Sequence, residues 1–484
     1  MKNFLNRIFK LEENGTTVKT ELIAGVTTFF AMCYIVVVNP SQMIGETSTP
    51  ELAKLTNACF VGGILAAVVA TLCMAFIANK PFALAAGMGL NSFFFVSFIL
   101  PCVLASKSGE TIVGSYQSGL AIILLSGIIF LILSLTGLRK YIAKSLPSCL
   151  KTAIPAGIGL FIAFIGLQNS GIVVPNQYTG VALADFTARD AGTISALVAF
   201  IGLILIIVFS KCKVKFLNKT AIILGIILST GIYYIACLIF KIDLPSSTSN
   251  SITQTFKDWA EVGFAGCFKG FKTLFSGEVI GAGANQVGVI FSVIMLVITY
   301  SLVDMFDTLG TVYGASAEAG MLDENGDPIG LDQEMLCDSI GTVVGAMTGT
   351  STITTFVESS AGVAAGGRTG LTAFVTAILF IVCLFASPVV NYIPSCATAP
   401  ALMFVGILMC KNILKVDFTD LTSAATAFIT FIMMIATYSI SNGIMFGAIT
   451  YVLITLLTGK YGKKDIVVTI IALFGILRFA FVAM

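Results

Sequence analysis

The chain contains no histidine, and only 11% of its 484 residues are Asp, Glu, Lys or Arg, against roughly 25% in soluble domains. Without imidazole, any proton traffic has to run through carboxylates. A zinc site is also unexpected, because none of the twelve cysteines forms a CxxC pair. Most of those cysteines lie in apolar runs, where the thiol behaves as a small hydrophobe, so no disulfide framework is expected either. The net charge of +2 comes from basic residues spread over short loops. No basic stripe with interleaved aromatics exists, which excludes nucleic acid as a partner. The glycine-rich stretch 362–370 lacks the GK[ST] ending of a phosphate-binding loop. No GxGD motif is present, which argues against an intramembrane aspartyl protease, and the chain reads as a non-enzyme.

What fills the chain instead is apolar sequence. Hydrophobic residues make up 57%, and runs of about 17–25 apolar residues, each long enough to cross a bilayer, recur along it. They lie near 21–44, 55–78, 83–99, 117–138, 152–170, 192–210 and 220–240 in a first half. In a second half they lie near 287–315, 337–350, 352–366, 370–390, 398–412, 421–440 and 442–459. A further stretch, 466–483, either spans or lies along the membrane. The first run is longer than a signal peptide and lacks a cleavage site, so it is read as a retained span. The expectation is an all-α polytopic membrane protein of about 14 transmembrane segments, one integral domain over 1–484.

Charge placement supports this count. With the N-terminus inside, 19 of the 27 Lys and Arg residues fall on the cytoplasmic side and seven outside, as the positive-inside rule requires. The only long connection, 241–286, separates two halves of seven spans, about 20–242 and about 285–484. Seven is odd, so halves that share a fold form a 7+7 inverted repeat. The segments 83–99, 337–350 and 352–366 are short and rich in glycine, and short interrupted segments at matching places mark a transporter's binding site.

Two stretches carry the chemistry. From Val279 to Val303 there is no charge, and then Asp304 and Asp307 appear; between Asp338 and Arg368 the only charge is Glu358. An acid at membrane depth costs about 2.5–3.5 kcal/mol on insertion scales, so the default reading is a path for a solute or proton. Asp304, Thr308 and Thr311 fall at i, i+4 and i+7, a polar stripe on one helix. Asp323, Asn325, Asp327 and Glu334 imitate a calcium loop, but Pro328 stands where that loop needs glycine, and a solvated acidic loop is the better reading. Arg368 reads as a membrane-edge anchor, and Tyr34, Thr27 and Thr28 as packing residues.

These blocks resemble a known family. Val303-Asp-Met-Phe-Asp-Thr-Leu-Gly-Thr311 is similar to the eighth-helix motif of the nucleobase:cation symporters, the xanthine/uracil permease superfamily, in its hypoxanthine/guanine/adenine branch. The block from Val357-Glu-Ser-Ser-Ala-Gly-Val to Thr372 resembles the tenth-helix motif of that branch, and Ala156–Asn169 the fifth. Ala85-Ala-Gly-Met-Gly-Leu-Asn91 resembles the third, with Ala86 where proline is expected.

The resemblance implies a core of spans 1–4 and 8–11 (about 20–138 and 287–390) and a gate of spans 5–7 and 12–14 (about 152–240 and 398–484). Spans 3 and 10 are broken. It also implies import of hypoxanthine, guanine or adenine across the cell membrane by proton symport, without a cofactor. Homodimerisation is a family expectation with no interface legible in the residues. Asp304 and Glu358 match the acids that bind the purine, Asp307 an acid tied to coupling, and Asn91 a required asparagine. Thr308, Ser359 and Phe94 complete the candidate substrate site; Asp304, Asp307 and Glu358 are the candidate coupling acids. The physical reading agrees: a purine presents donors and acceptors on its edges, which a carboxylate and an amide meet, while phenylalanine at 93 or 94 covers a ring face. Sodium stays open as a second coupling ion. A transporter or channel for an anion or another small solute on the same fold stays open as the alternative.

Overall fold

In this computed structural model the described residues are 2–45, 49–136, 146–176, 178–187, 191–214, 217–218, 220–240, 251–275, 286–319, 321–323, 328–356, 358–386 and 392–481. Asn325 and Asp327, half of the calcium-loop imitation, lie outside them. Eight helices among the described residues are long and apolar enough to cross a membrane, and five shorter apolar helices accompany them. The chain is a multi-pass, helical membrane protein.

The helices used below are α1 (Val18–Met32), α2 (Ile35–Ile44), α3 (Pro50–Cys73), α4 (Met88–Phe94), α5 (Gly109–Leu135), α6 (Ser148–Asn169), α7 (Ala191–Ser210) and α8 (Ala221–Phe240). The second half supplies α9 (Gln286–Ala319), α10 (Leu331–Thr348), α11 (Ser359–Ala364), α12 (Gly370–Cys383) and α13 (Ser395–Met409). It ends with α14 (Leu421–Ala436), α15 (Ile440–Leu457) and α16 (Ile466–Phe481). Four short strands join them: β1 (Leu84–Ala86), β2 (Val173–Asn176), β3 (Gly180–Leu183) and β4 (Ile353–Thr355). β2 and β3 form a surface hairpin. Helix α10 begins six residues before the apolar stretch at 337–350, because its first turn carries Asp332 and Glu334, which favour a helix N-terminus.

Of the three short glycine-rich segments, 337–350 belongs mostly to the continuous helix α10, while 83–99 and 352–366 are broken, and the break is where the two halves of the chain meet. β1 pairs antiparallel with β4 in the register Leu84↔Thr355, Ala85↔Thr354 and Ala86↔Ile353. Gly87 N donates to Thr352 O at 3.0 Å and Phe356 N to Ala83 O at 3.0 Å, extending the ladder at both ends. Both strands are fully buried, where an unpaired peptide group costs several kcal/mol. The outer edges are met by threonines. Thr71 Oγ1 on α3 accepts from Leu84 N at 3.0 Å, and Thr342 Oγ1 on α10 accepts from Ile353 N at 3.3 Å. Each half thus satisfies its own strand with a threonine from the helix preceding it.

Polar ties hold this crossing in place. Asn39 and Asn91 join α2 to α4, with Asn91 Nδ2 donating to Asn39 Oδ1 at 2.9 Å. Glu21, fully buried on α1, accepts from Arg368 N at 2.8 Å, Thr372 N at 3.2 Å and Thr372 Oγ1 at 2.7 Å, so it caps the start of α12. A carboxylate among helix N-terminal amides is in its favoured position. Arg368 donates to the carbonyls of Val363 (2.8 Å), in the last turn of α11, and Gly367 (2.7 Å), just past its end. On the same side, Lys80 Nζ stands 4.0 Å from Glu334 Oε1, and burial pulls the lysine below its usual range.

The periphery is different. α7 presents Leu197, Phe200, Ile201, Ile204 and Val208 on its exposed face, at a spacing of three to four. Such a stripe faces lipid.

Candidate functional site

A cavity of about 310 Å3 lies where the broken segments face α6 and α13. Its polar wall comes from the strand crossing and from α9: Asp307, Thr311, Thr354, Thr355, Glu358 and Ser360. Met88 and Gly89 of α4, Pro155 and Ile162 of α6, and Val405, Leu408 and Met409 of α13 close it with apolar surface, and Phe356 supplies an aromatic ring. Lys411, Asn412 and Lys415, in the 3-10 turn after α13, stand at its mouth. A cavity of this size with an apolar lining and a few convergent polar groups is the usual form of a small-molecule site.

Glu358 sits at the N-cap of α11, immediately after the β4 ladder ends. Its Oε1 accepts from the Tyr34 hydroxyl at 2.5 Å. Tyr34 is 1% exposed and lies at the junction of α1 and α2. It is therefore more than the packing residue expected from sequence: it orients the acid and satisfies one of its lone pairs, the strong, charge-assisted type of hydrogen bond. Asp307 lies beside the strand crossing, in hydrogen-bonding contact with the Thr354 side chain. Gly87 leaves room for the threonine, because a Cβ there would stand 3.3 Å from both Cγ2 and Oγ1 of Thr354, and an ordinary 3.5 Å from Asp307 Oδ2.

The polar stripe of α9 divides between two neighbours. Asp304 and Thr308 face α10: Thr342 donates to Asp304 Oδ2 at 2.9 Å, and Thr308 donates to Asp338 Oδ1 at 2.7 Å. Asp307 and Thr311 face the cavity. At 3.6 residues per turn the two pairs point roughly 60° apart, so a contiguous stripe in sequence serves one structural and one solvent-facing role.

The remaining sequence candidates lie behind the wall. Asn91 is fully buried; it accepts from Ser351 Oγ and binds Asn39, tying the broken segments together. Ser359 Oγ accepts from Ala83 N at 3.0 Å, a brace across the strand crossing. Phe94 packs against Phe98 and Tyr116, with ring centroids 5.1 and 5.8 Å apart, and Phe93 lies against Tyr300 at 5.0 Å. Neither lines the cavity, whose aromatic face is Phe356. Phe356, Met88 and the lysines at the mouth carry no signal in sequence, since apolar residues and loop lysines are everywhere in this chain.

A permease family model for xanthine and uracil carriers matches residues 19–446. The chain belongs to the xanthine/uracil permease family. Within it the chain falls in the hypoxanthine, guanine and adenine branch. It is 34% identical over 471 residues to adenine permease AdeQ of Escherichia coli, covering 97% of this chain and 94% of that protein. It is 36% identical over 468 residues to guanine/hypoxanthine permease PbuO of Bacillus subtilis, covering 96% and 98%. Among solved structures it is similar to the transmembrane domain of a cyanobacterium bicarbonate transporter, BicA, with a TM-score of 0.57, 15% identity, and 86% and 95% of the two chains covered. SLC26A9 gives a TM-score of 0.57 at 12% identity, over 91% of this chain and 66% of that one. At such identities these two likenesses concern the fold of the permease and nothing else.

Proposed function

We propose that this permease is a secondary active transporter, not an enzyme, that imports hypoxanthine, guanine or adenine across the plasma membrane by proton symport. The observation that carries the reading is the pair of acids, Asp307 and Glu358, on the wall of one cavity beside the broken helices. A purine base enters with its N–H groups toward these carboxylates and its plane against Phe356 and the apolar surface of α6 and α13. The carboxyls accept hydrogen bonds from ring N–H groups and carry the coupling proton. Moving one charge through ~100 mV supplies roughly 2.3 kcal/mol, a concentration ratio of about fiftyfold. No cofactor enters this scheme.

The same proposal includes fourteen spans in two inverted halves, an N-terminus in the cytoplasm, and a core bearing α1–α5 and α9–α12 that moves against a gate bearing α6–α8 and α13–α15. The matched roles of Thr71 and Thr342, each capping the strand of its own half, support the repeat. The lysines at the mouth of the cavity support an inward-facing state under the positive-inside rule. The lipid-facing stripe of α7 belongs to the gate, and association as a homodimer is part of the reading. Anion transport is disfavoured because two acids on the wall repel an anion whenever they are ionised.

The test is uptake of radiolabelled hypoxanthine, guanine, adenine, xanthine and uracil in cells lacking their own base permeases, with and without a protonophore and in sodium-free medium. Saturable purine uptake that collapses with the protonophore and survives sodium removal is expected. Uptake of no base, in protein verified at the membrane, contradicts the proposal.

A further inference from the structure

A second cavity, of about 190 Å3, lies on the seam between the same two helices that border the first. On α4 and the π-turn Phe95–Ile99 that follows it, Met88 and Gly89 face the first cavity while Ser92 and Phe95 face the second. On α6, Pro155 and Ile162 face the first while Ile165, Gln168 and Asn169 face the second. Both sets run along one helix face in steps of three, four or seven residues, so the two cavities are stacked along one path. A Cβ on Gly89 would stand 3.0 Å from Ile158 Cγ2 and 3.4 Å from Ile440 Cδ1, so α4, α6 and α15 pack closely beside the first cavity.

The second cavity is built differently from a packing defect. Gln42, 3% exposed on α2, donates from Nε2 to Ser92 Oγ at 2.5 Å, which leaves its Oε1 as an acceptor. That Oε1 and the Oε1 of Gln168 are both buried and meet no donor among the described residues. A buried polar group without a partner costs on the order of 1–3 kcal/mol, and such a group in a native fold calls for an explanation. Two amide acceptors on one cavity wall suit a ligand that brings N–H donors. The rings of Phe95 and Tyr438 lie on the same wall and offer flat apolar surface. No Asp, Glu, Lys or Arg lines the cavity, so the ligand it suits is neutral. For scale, a cavity of about 150 Å3 holds benzene.

We infer that this second cavity is an outer subsite that binds a neutral nucleobase through Gln42 and Gln168 before it reaches the first cavity. The inference rests on the purine-import reading above, which supplies both the ligand class and the direction. The subsite gives the carrier a neutral station on the outward side and a charged one on the inward side. A base loses its water to amides first and meets carboxylates only in the first cavity. Selection between neutral bases and anions then begins at the outer station, where no cation is present to attract an anion.

The experiment is calorimetric titration of hypoxanthine into the full-length protein in lipid nanodiscs, beside Gln168→Leu, the double variant Gln42→Leu/Gln168→Leu, and Glu358→Gln. Two bases per protomer are expected in wild type. Gln168→Leu weakens one of them roughly tenfold, the worth of a lost hydrogen bond, and the double variant abolishes that one. Glu358→Gln removes the other. The inner-site affinity retained in the glutamine variants reports that they are folded. In uptake, Gln168→Leu raises KM about tenfold with little change in maximal rate. A single base in wild type, lost with Glu358→Gln and indifferent to both glutamines, overturns the outer subsite and leaves purine transport standing. Failure of wild type to bind any nucleobase overturns both readings together.

Discussion

The two cavities share a pair of helices and differ in their chemistry. The inner one faces Asp307 and Glu358 and opens toward Lys411 and Lys415; the outer one has no charged side chain and presents the amides of Gln42 and Gln168. The difference teaches where charge is tolerated. The acids that face the inner cavity stand beside the broken strands, where Tyr34 and Thr354 supply donors, while Asp304 and Asp338 lie behind the wall on donors from Thr342 and Thr308. Around the second cavity, polarity is limited to neutral groups. In the proposed scheme a base is received by amides at one station and meets the acids, which both bind it and carry the proton, at the other.

The comparison is broken most severely at Glu358. Glu358→Gln removes the acid yet keeps the shape, and uptake of hypoxanthine is expected to fall by two orders of magnitude or more at equal surface expression, measured as initial rates. Asp307→Asn should follow with a loss of about tenfold to a hundredfold, and with a weakened response to the protonophore in the uptake that remains. Asp304→Asn sharpens the same point from behind the wall. Its acid faces Thr342 rather than the cavity, so the expected change is a melting temperature lowered by several degrees, from a buried hydrogen bond worth ~1–3 kcal/mol. The KM for uptake should stay within about threefold in the folded fraction. Tyr34→Phe deletes only the donor to Glu358 and should raise KM severalfold while leaving protein levels unchanged. The smallest effect is expected at Lys415→Ala: the lysine lies at the open mouth, where water screens it, and uptake should change by less than about twofold.

The membrane class, the broken segments and the acids were legible in the chain because each violates a strong background. A charge inside a long apolar run is visible without coordinates, and so is a cluster of glycines. The direction of each acid was not legible. Asp304 and Asp307 lie three residues apart on one stripe, and only the packing of α10 on one side and the cavity on the other separates them. Asn91 was read as a ligand group from its match to the third-helix motif, and Ser359 as its neighbour in the tenth-helix motif. In the structure their hydrogen bonds run to Ser351, Asn39 and Ala83 at the crossing of β1 and β4, a pairing between residues some 270 positions apart that no local pattern announces. Tyr34 was missed for the same reason, since its partner Glu358 is 324 residues away. The outer cavity left no trace in the sequence, because two glutamines at helix ends are unremarkable until their oxygens are found facing one space.

The measurement that tests the account most directly is binding of hypoxanthine to purified protein in nanodiscs, comparing wild type with Asp307→Asn, Glu358→Gln and Asp304→Asn. The account predicts that the first two variants lose affinity for the inner site by tenfold or more, while Asp304→Asn retains it within about threefold. Unchanged affinity in Asp307→Asn and Glu358→Gln, with loss confined to Asp304→Asn, would contradict it, because the base would then be held on the face of α9 that turns toward α10.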